Sequence, residues 1–195
     1  MKTHTITTYS FEELSEEAQE KALIQCQNWN VEGFKWWDAV YEDAKEVGKL
    51  LGITIDKIYF SGFPSQGDGA CFAGQYEYAK GSCRAIREYA PRDTELHRIA
   101  DELRKLQRRY FYGLYAYVTY SGHYMRKYCS NIDVRENDMS CDIPADEIAE
   151  LLRDFMEWIY RAAEREYDYL ISDEVVKESL IANEVEFLES GARYI

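Results

Sequence analysis

The chain has 195 residues, 46% of them hydrophobic, with 17 Tyr, 8 Phe and 4 Trp, which supplies a core of ordinary size and excludes a disordered chain. The formal charge of −13 is unevenly spread: residues 1–79 hold 6 basic and 13 acidic side chains, residues 80–128 hold 11 and 5, and residues 129–195 hold 6 and 18. No apolar run reaches the roughly 20 residues of a membrane span, and the opening MKTHTITTYS lacks the apolar stretch of a secretion signal, so a single soluble, cytoplasmic domain (1–195) is expected.

The first element in chain order is THTITTY, whose β-branched alternation predicts a strand. Ser10 and Ser15 then stand as successive helix N-caps, with Glu12, Glu13, Glu16 and Glu17 where carboxylates favour a helix start, and a helix over about 15–28 follows. In VEGFKWWDAVYEDAKEVGKLLG the apolar residues Phe34, Trp37, Tyr41, Ala44, Val47 and Leu51 recur at helical spacing, and Gly52 is placed to end that helix. Two adjacent tryptophans on a helix cannot share a face, so one of Trp36 and Trp37 is expected inside and the other at an edge.

ITIDKIYF and ACFAGQYEY read as strands, and a helix, a break at Pro91 and a longer helix capped near Asp93 or Thr94 come next. Leu96, Ile99, Leu103, Leu106 and Tyr110 form the apolar side of that longer helix, leaving Arg98, Arg104, Lys105, Arg108 and Arg109 on the others. In YGLYAYVTYSGHYMRKYCSNIDV, Ser121-Gly122 reads as a two-residue hairpin turn. That register pairs Tyr120 with His123, Val118 with Met125, Ala116 with Lys127 and Leu114 with Cys129. Residues 144–195 read as a pair of helices, the first with the stripe Ile148, Leu152, Phe155, Ile159 and Ala162, the second starting at Ser172 and running to Gly191. The class is α+β: a mostly antiparallel sheet of about five strands, including two hairpins, lies in residues 1–143, and the helices pack on it.

Five cysteines, Cys26, Cys71, Cys83, Cys129 and Cys141, are far apart, and His4, His97 and His123 add no ligand spacing. Reduced thiols are expected, with no metal or other cofactor. Two groups of residues stand out as sites. The first is the connection SGFPSQGDG at residues 61–69, with Ser61, Gly62, Ser65, Gln66, Gly67, Asp68 and Gly69. It is long for a hairpin, and long loops in compact domains are often functional. It lacks the Gly-Lys-Ser/Thr ending of a phosphate loop and leads into a strand. It reads either as a turn whose polar side chains bond its own backbone, with Phe63-Pro64 a bond where a cis isomer is conceivable, or as a ligand or partner surface built on Asp68.

The second is the face that the hairpin register assembles from Tyr115, Tyr117, Tyr124, Arg126 and Tyr128. Aromatic rings beside arginine suit a protein hot spot or a single-stranded nucleic acid; a covering helix is the structural alternative. The acidic helices after Asp146 read either as solvated faces or as an imitation of a phosphate array.

WWDAVYEDAKEVGKLLGI followed by IYFSGFPSQGDGACF resembles a group of poorly characterised phage and prophage proteins that share an SGF-x-SQGDGA-x-F run after a WWD-type helix. FEELSEEAQEKA is similar to their N-terminal stretch, and the resemblance spans about residues 9–75. Pro64 stands where the group more usually has an aromatic residue. The group is sometimes labelled antitoxin and has no established activity, so the resemblance carries a setting and no catalytic residue. In that setting the expectation is an acidic interaction protein that inhibits a host protein. Its target would be a nucleic-acid-binding factor of a defence system, with anti-CRISPR action as one form. The alternatives are a nucleotide- or metabolite-binding protein or small enzyme using residues 61–69, and a single-stranded nucleic-acid binder using the tyrosine face.

Overall fold

A computed structural model describes residues 5–33, 35–63, 65–137 and 143–194. They group into two compact units, residues 38–164 and residues 1–37 with 165–195.

The larger unit holds the sheet. Helix α2 (Asp38–Leu51) leads into strands β1 (Ile53–Phe60) and β2 (Ala70–Glu77), then helices α3 (Ser82–Tyr89) and α4 (Thr94–Arg109), then strands β3 (Leu114–Tyr120) and β4 (Ser130–Glu136). The long helix α5 (Ala145–Leu170) begins here. All neighbouring strands are antiparallel, in the order β1-β2-β3-β4. Gly52 ends α2 at φ +86°, and a Cβ there would meet the Glu77 carbonyl oxygen at 2.0 Å, so both the reversal and the close approach require glycine. Asp93 caps α4 by accepting from the Leu96 N–H at 3.0 Å, and its second oxygen accepts from Trp158 Nε1–H at 2.7 Å.

Alternate sheet residues, among them Ile53, Phe72, Tyr76, Ala116, Val118 and Val134, join Val47, Ile86, Ile99, Leu103, Leu152 and Phe155 of the helices in one buried cluster. The other alternation leaves Thr54, Gln75, Glu77, Tyr117, Thr119, Asn131 and Arg135 exposed. One face of the sheet is therefore covered by helices and the other is open, as the alternation of an antiparallel sheet allows.

The smaller unit contains α1 (Glu16–Cys26), the end of α5 and α6 (Asp173–Ala182). Its core is Phe11, Leu14, Ala18, Ala22, Cys26, Val176, Leu180 and Phe187. Ser10 and Glu13 form a capping box, Glu13 Oε2 accepting from the Ser10 N–H at 2.8 Å, and the Ser15 hydroxyl accepts from the Ala18 N–H at 3.3 Å at the start of α1.

The α+β class, the antiparallel sheet, the two hairpins and the helical C-terminal region hold, with four corrections. The sheet has four strands among the described residues: residues 5–8 are irregular and Tyr9 makes only an isolated bridge to Phe187, while residues 1–4 lie outside the description. Helix α2 starts at Asp38 instead of before the tryptophans. Both Trp36 and Trp37 are half-buried in the turn ahead of it, their rings edge to face at 5.5 Å, with Trp36 also 5.5 Å from Tyr167. Helix α6 ends at Ala182, and Phe187 enters the core from the extended segment that bridges Tyr9.

The hairpin register is the consequential correction. Strand β3 pairs with residues 130–136, so Tyr120 faces Ser130 and Tyr117 faces Asp133. Residues 121–129 form the connection and include a one-turn 3-10 helix at Lys127–Cys129. Burial decides this: the partner chosen sets Val134 into the core opposite Ala116, where the shorter register would put the charged Lys127.

Candidate functional site

The connection at 61–69 binds its own polar groups. Asp68 Oδ2 accepts from the Ser65 N–H at 2.7 Å, the Asp68 N–H donates to the Ser65 carbonyl at 3.0 Å, and the Ser61 N–H reaches the Gly69 carbonyl at 3.4 Å. Gly62 carries φ +114°. Ser61, Ser65 and Gln66 are exposed, and Gly69 is buried. Phe63 anchors the loop, its ring 5.1 Å from Phe60 and 5.6 Å from Tyr160, while the Tyr160 O–H donates to its carbonyl at 3.5 Å. Burial, then the charge of Glu164 and more weakly that of Asp68, pushes the Tyr160 hydroxyl up. Pro64, and with it the Phe63-Pro64 bond, lies outside the described residues.

Two of the glycines have a task that the sequence does not reveal. A Cβ on Gly69 would lie 2.8 Å from the Met125 carbonyl oxygen and 3.1 Å from Arg126 Cα, and one on Gly67 would lie 2.4 Å from the Tyr124 ring. The two hairpin connections are thus pressed together, and half of the presumed tyrosine face belongs to this contact. Tyr124 lies exposed over Gly67, with His123 at 5.3 Å, and Arg126 is exposed beside it. Tyr128 leans toward α5, flanked by the Lys127 ammonium at 5.6 Å and the Arg153 guanidinium at 5.2 Å, its hydroxyl 3.5 Å from Glu150.

Tyr115 and Tyr117 remain on the open face of the sheet, edge to face at 5.8 Å. Tyr117 is 39% exposed; the guanidinium of Arg135 sits 5.4 Å over its ring and is itself held by Asp133 through Nε at 3.0 Å and Nη2 at 2.6 Å. Beside them a cleft of about 450 Å³ is lined by Thr54, Gln75, Glu77, Tyr78, Tyr112 and Asn137. Tyr78 and Tyr112 pack with ring centroids 4.4 Å apart, tilted by 35°. The face predicted from the sequence is therefore divided: Tyr115 and Tyr117 look out from the sheet, while Tyr124, Arg126 and Tyr128 lie in the connection. Gln75 and Glu77 could have been found from the alternation of ACFAGQYEY; Tyr78, Tyr112 and Arg135 join the site only through the strand order.

Among the described residues no group of His, Cys, Asp and Glu is placed to hold a metal ion, and no helix is long and apolar enough to cross a membrane. Cys26, Cys71 and Cys83 are buried free thiols and Cys129 is half-buried; Cys141 lies outside the described residues. Burial pushes the Cys71 thiol up to about 11, far from the range of a reactive thiolate.

A family model described as a domain of unknown function, DUF8835, matches residues 36–173, and the chain belongs to that family. No curated protein and no solved structure matches it.

Proposed function

We propose that this member of the DUF8835 family is an interaction protein that binds a protein partner through the open face of its sheet. The observation that carries the reading is the uncovered group of Tyr115, Tyr117 and Arg135. Tyrosine and arginine are the residue types that dominate protein hot spots, because each combines a large contact area with a hydrogen-bonding tip. Asp133 fixes the Arg135 guanidinium before any partner arrives, which reduces the ordering cost of binding. The resemblance of residues 9–75 to phage proteins supports, as part of this proposal, a host protein whose action is inhibited as the partner, a nucleic-acid-handling defence factor being the foremost case.

The test is affinity capture from a bacterial host lysate with the unaltered chain and with Tyr117→Ala and Arg135→Ala. A stoichiometric protein retained by the first and weakened about tenfold or more by either substitution supports the reading. Equal retention by all three, with unchanged circular dichroism, removes this face as the interface.

A further inference from the structure

At the end of α4, Arg104, Lys105, Arg108 and Arg109 are all exposed, and with Asp101, Glu102 and Tyr112 they line a cleft of about 640 Å³. The two acids there are already matched, Asp101 by Arg87 at 2.6 Å and Glu102 by Lys105 at 3.2 Å. Arg104 and Arg108 form no salt bridge among the described residues. A locally positive surface thus survives on a chain of net charge −13.

The turn that follows presents aromatic rings beside these cations. Phe111 is 92% exposed and Tyr112 46% exposed, at φ +50° and +64°. Left-handed backbone at two successive bulky residues is strained. The surrounding structure enforces it. The Tyr112 N–H donates to the Gln107 carbonyl at 2.7 Å and the Gly113 N–H to the Tyr110 carbonyl at 3.0 Å. The wholly buried Gln107 side chain bonds both the N–H and the carbonyl of Leu114, at 3.2 and 2.6 Å. A phenyl ring held in water by a strained turn, next to unpaired guanidinium groups, has the two components of single-strand recognition: cations for the phosphates and a flat ring for a base. Tyr112 also lines the sheet cleft, where Tyr115 and Gln75 continue the surface.

We infer that the end of α4 and the turn at residues 110–113 form a binding site for single-stranded nucleic acid, with Arg104, Arg108 and Arg109 on the phosphates and Phe111 and Tyr112 stacked on bases. The inference stands independently of the protein partner proposed above, since its residues are separate from Tyr117 and Arg135. It is tested by fluorescence anisotropy with labelled oligothymidylate and oligouridylate of about 15 nucleotides and a duplex of equal length. Binding is expected at about 20 mM salt, with a log–log salt slope near −2 from about three released counterions. Phe111→Ala should weaken it about tenfold, and Arg104→Glu with Arg108→Glu should weaken it further and flatten the slope. Lys21→Glu, on α1, should leave it unchanged. If the double variant loses its helical circular dichroism, Phe111→Ala alone decides, because that ring has almost no contacts to lose. Absence of binding at low salt, preference for the duplex, or affinity indifferent to Phe111→Ala overturns the site. The ratio of the two oligonucleotides tells DNA from RNA.

Discussion

Strand β3 is flanked by two junctions built on opposite plans. At its start, the α4–β3 turn spends a buried glutamine on holding Phe111 and Tyr112 out in solvent. At its end, the two connections at 61–69 and 121–129 press their backbones together through Gly69, and the first of them closes its polar groups on itself. The conspicuous motif thus lies at the end where Asp68 bonds its own loop, while the most exposed large ring of the described residues, Phe111, lies at the end that carries no motif. A distinctive run of glycines can record a packing constraint as readily as a ligand.

The largest expected effect is at the first junction. Gln107→Leu leaves the Leu114 amide groups without their side-chain partner and removes the amide bonded to the Tyr76 hydroxyl, which should lower the unfolding free energy by about 3 kcal/mol in urea titrations. A loss below about 1 kcal/mol would mean that the turn is held by something else. At the second junction Gly69→Ala forces a methyl against the Met125 carbonyl, at an expected cost of about 2 kcal/mol; no cost would show that the two connections are not in contact.

Asp68→Ala separates the two readings of the loop more finely. A carboxylate that serves only the Ser65 N–H should cost about 1 kcal/mol when removed, whereas stabilisation on removal would mark a group kept for a ligand at the expense of stability. Gly67→Ala should cost less than about 0.5 kcal/mol, because the atom in its way belongs to the exposed Tyr124 side chain and can swing aside.

The smallest effect is one of pH, and both ends contribute. Burial pushes the Cys71 thiol up to about 11 near the connections and the Tyr76 hydroxyl up to about 12 at the Gln107 end. Each group stays protonated in the folded chain at a pH where the unfolded chain has released its proton. Stability from these two groups is therefore fully present below about pH 9 and falls as pH rises toward 11. Urea midpoints measured across that range should decline, and less steeply in Tyr76→Phe. A rising midpoint would contradict the burial of both groups.

Much of the framework was legible because its causes are local. Ser10 with Glu13, Ser15 before α1, Asp93 before α4 and Gly52 after α2 act on backbone groups within a few residues, so the sequence alone determined where those helices begin or end. The periodicity of Leu96, Ile99, Leu103 and Leu106 likewise determined which side of α4 is buried. The pairing of β3 was not local. Ser121-Gly122 carries a genuine turn signal, yet Gly122 serves instead as a close approach, a Cβ there meeting Cys129 at 3.2 Å and the Tyr120 ring at 3.3 Å. Only the tertiary structure decided between residues 123–129 and residues 130–136 as the partner of β3, because the choice depends on which one buries apolar side chains against helices distant in sequence. That decision moved Tyr124, Arg126 and Tyr128 off the sheet, brought Tyr124 and Arg126 against the SGFPSQGDG connection, and left Tyr115 and Tyr117 with Arg135 on the open face. Composition and spacing could name these residues, but their grouping follows from strand register, which burial across the whole unit determines.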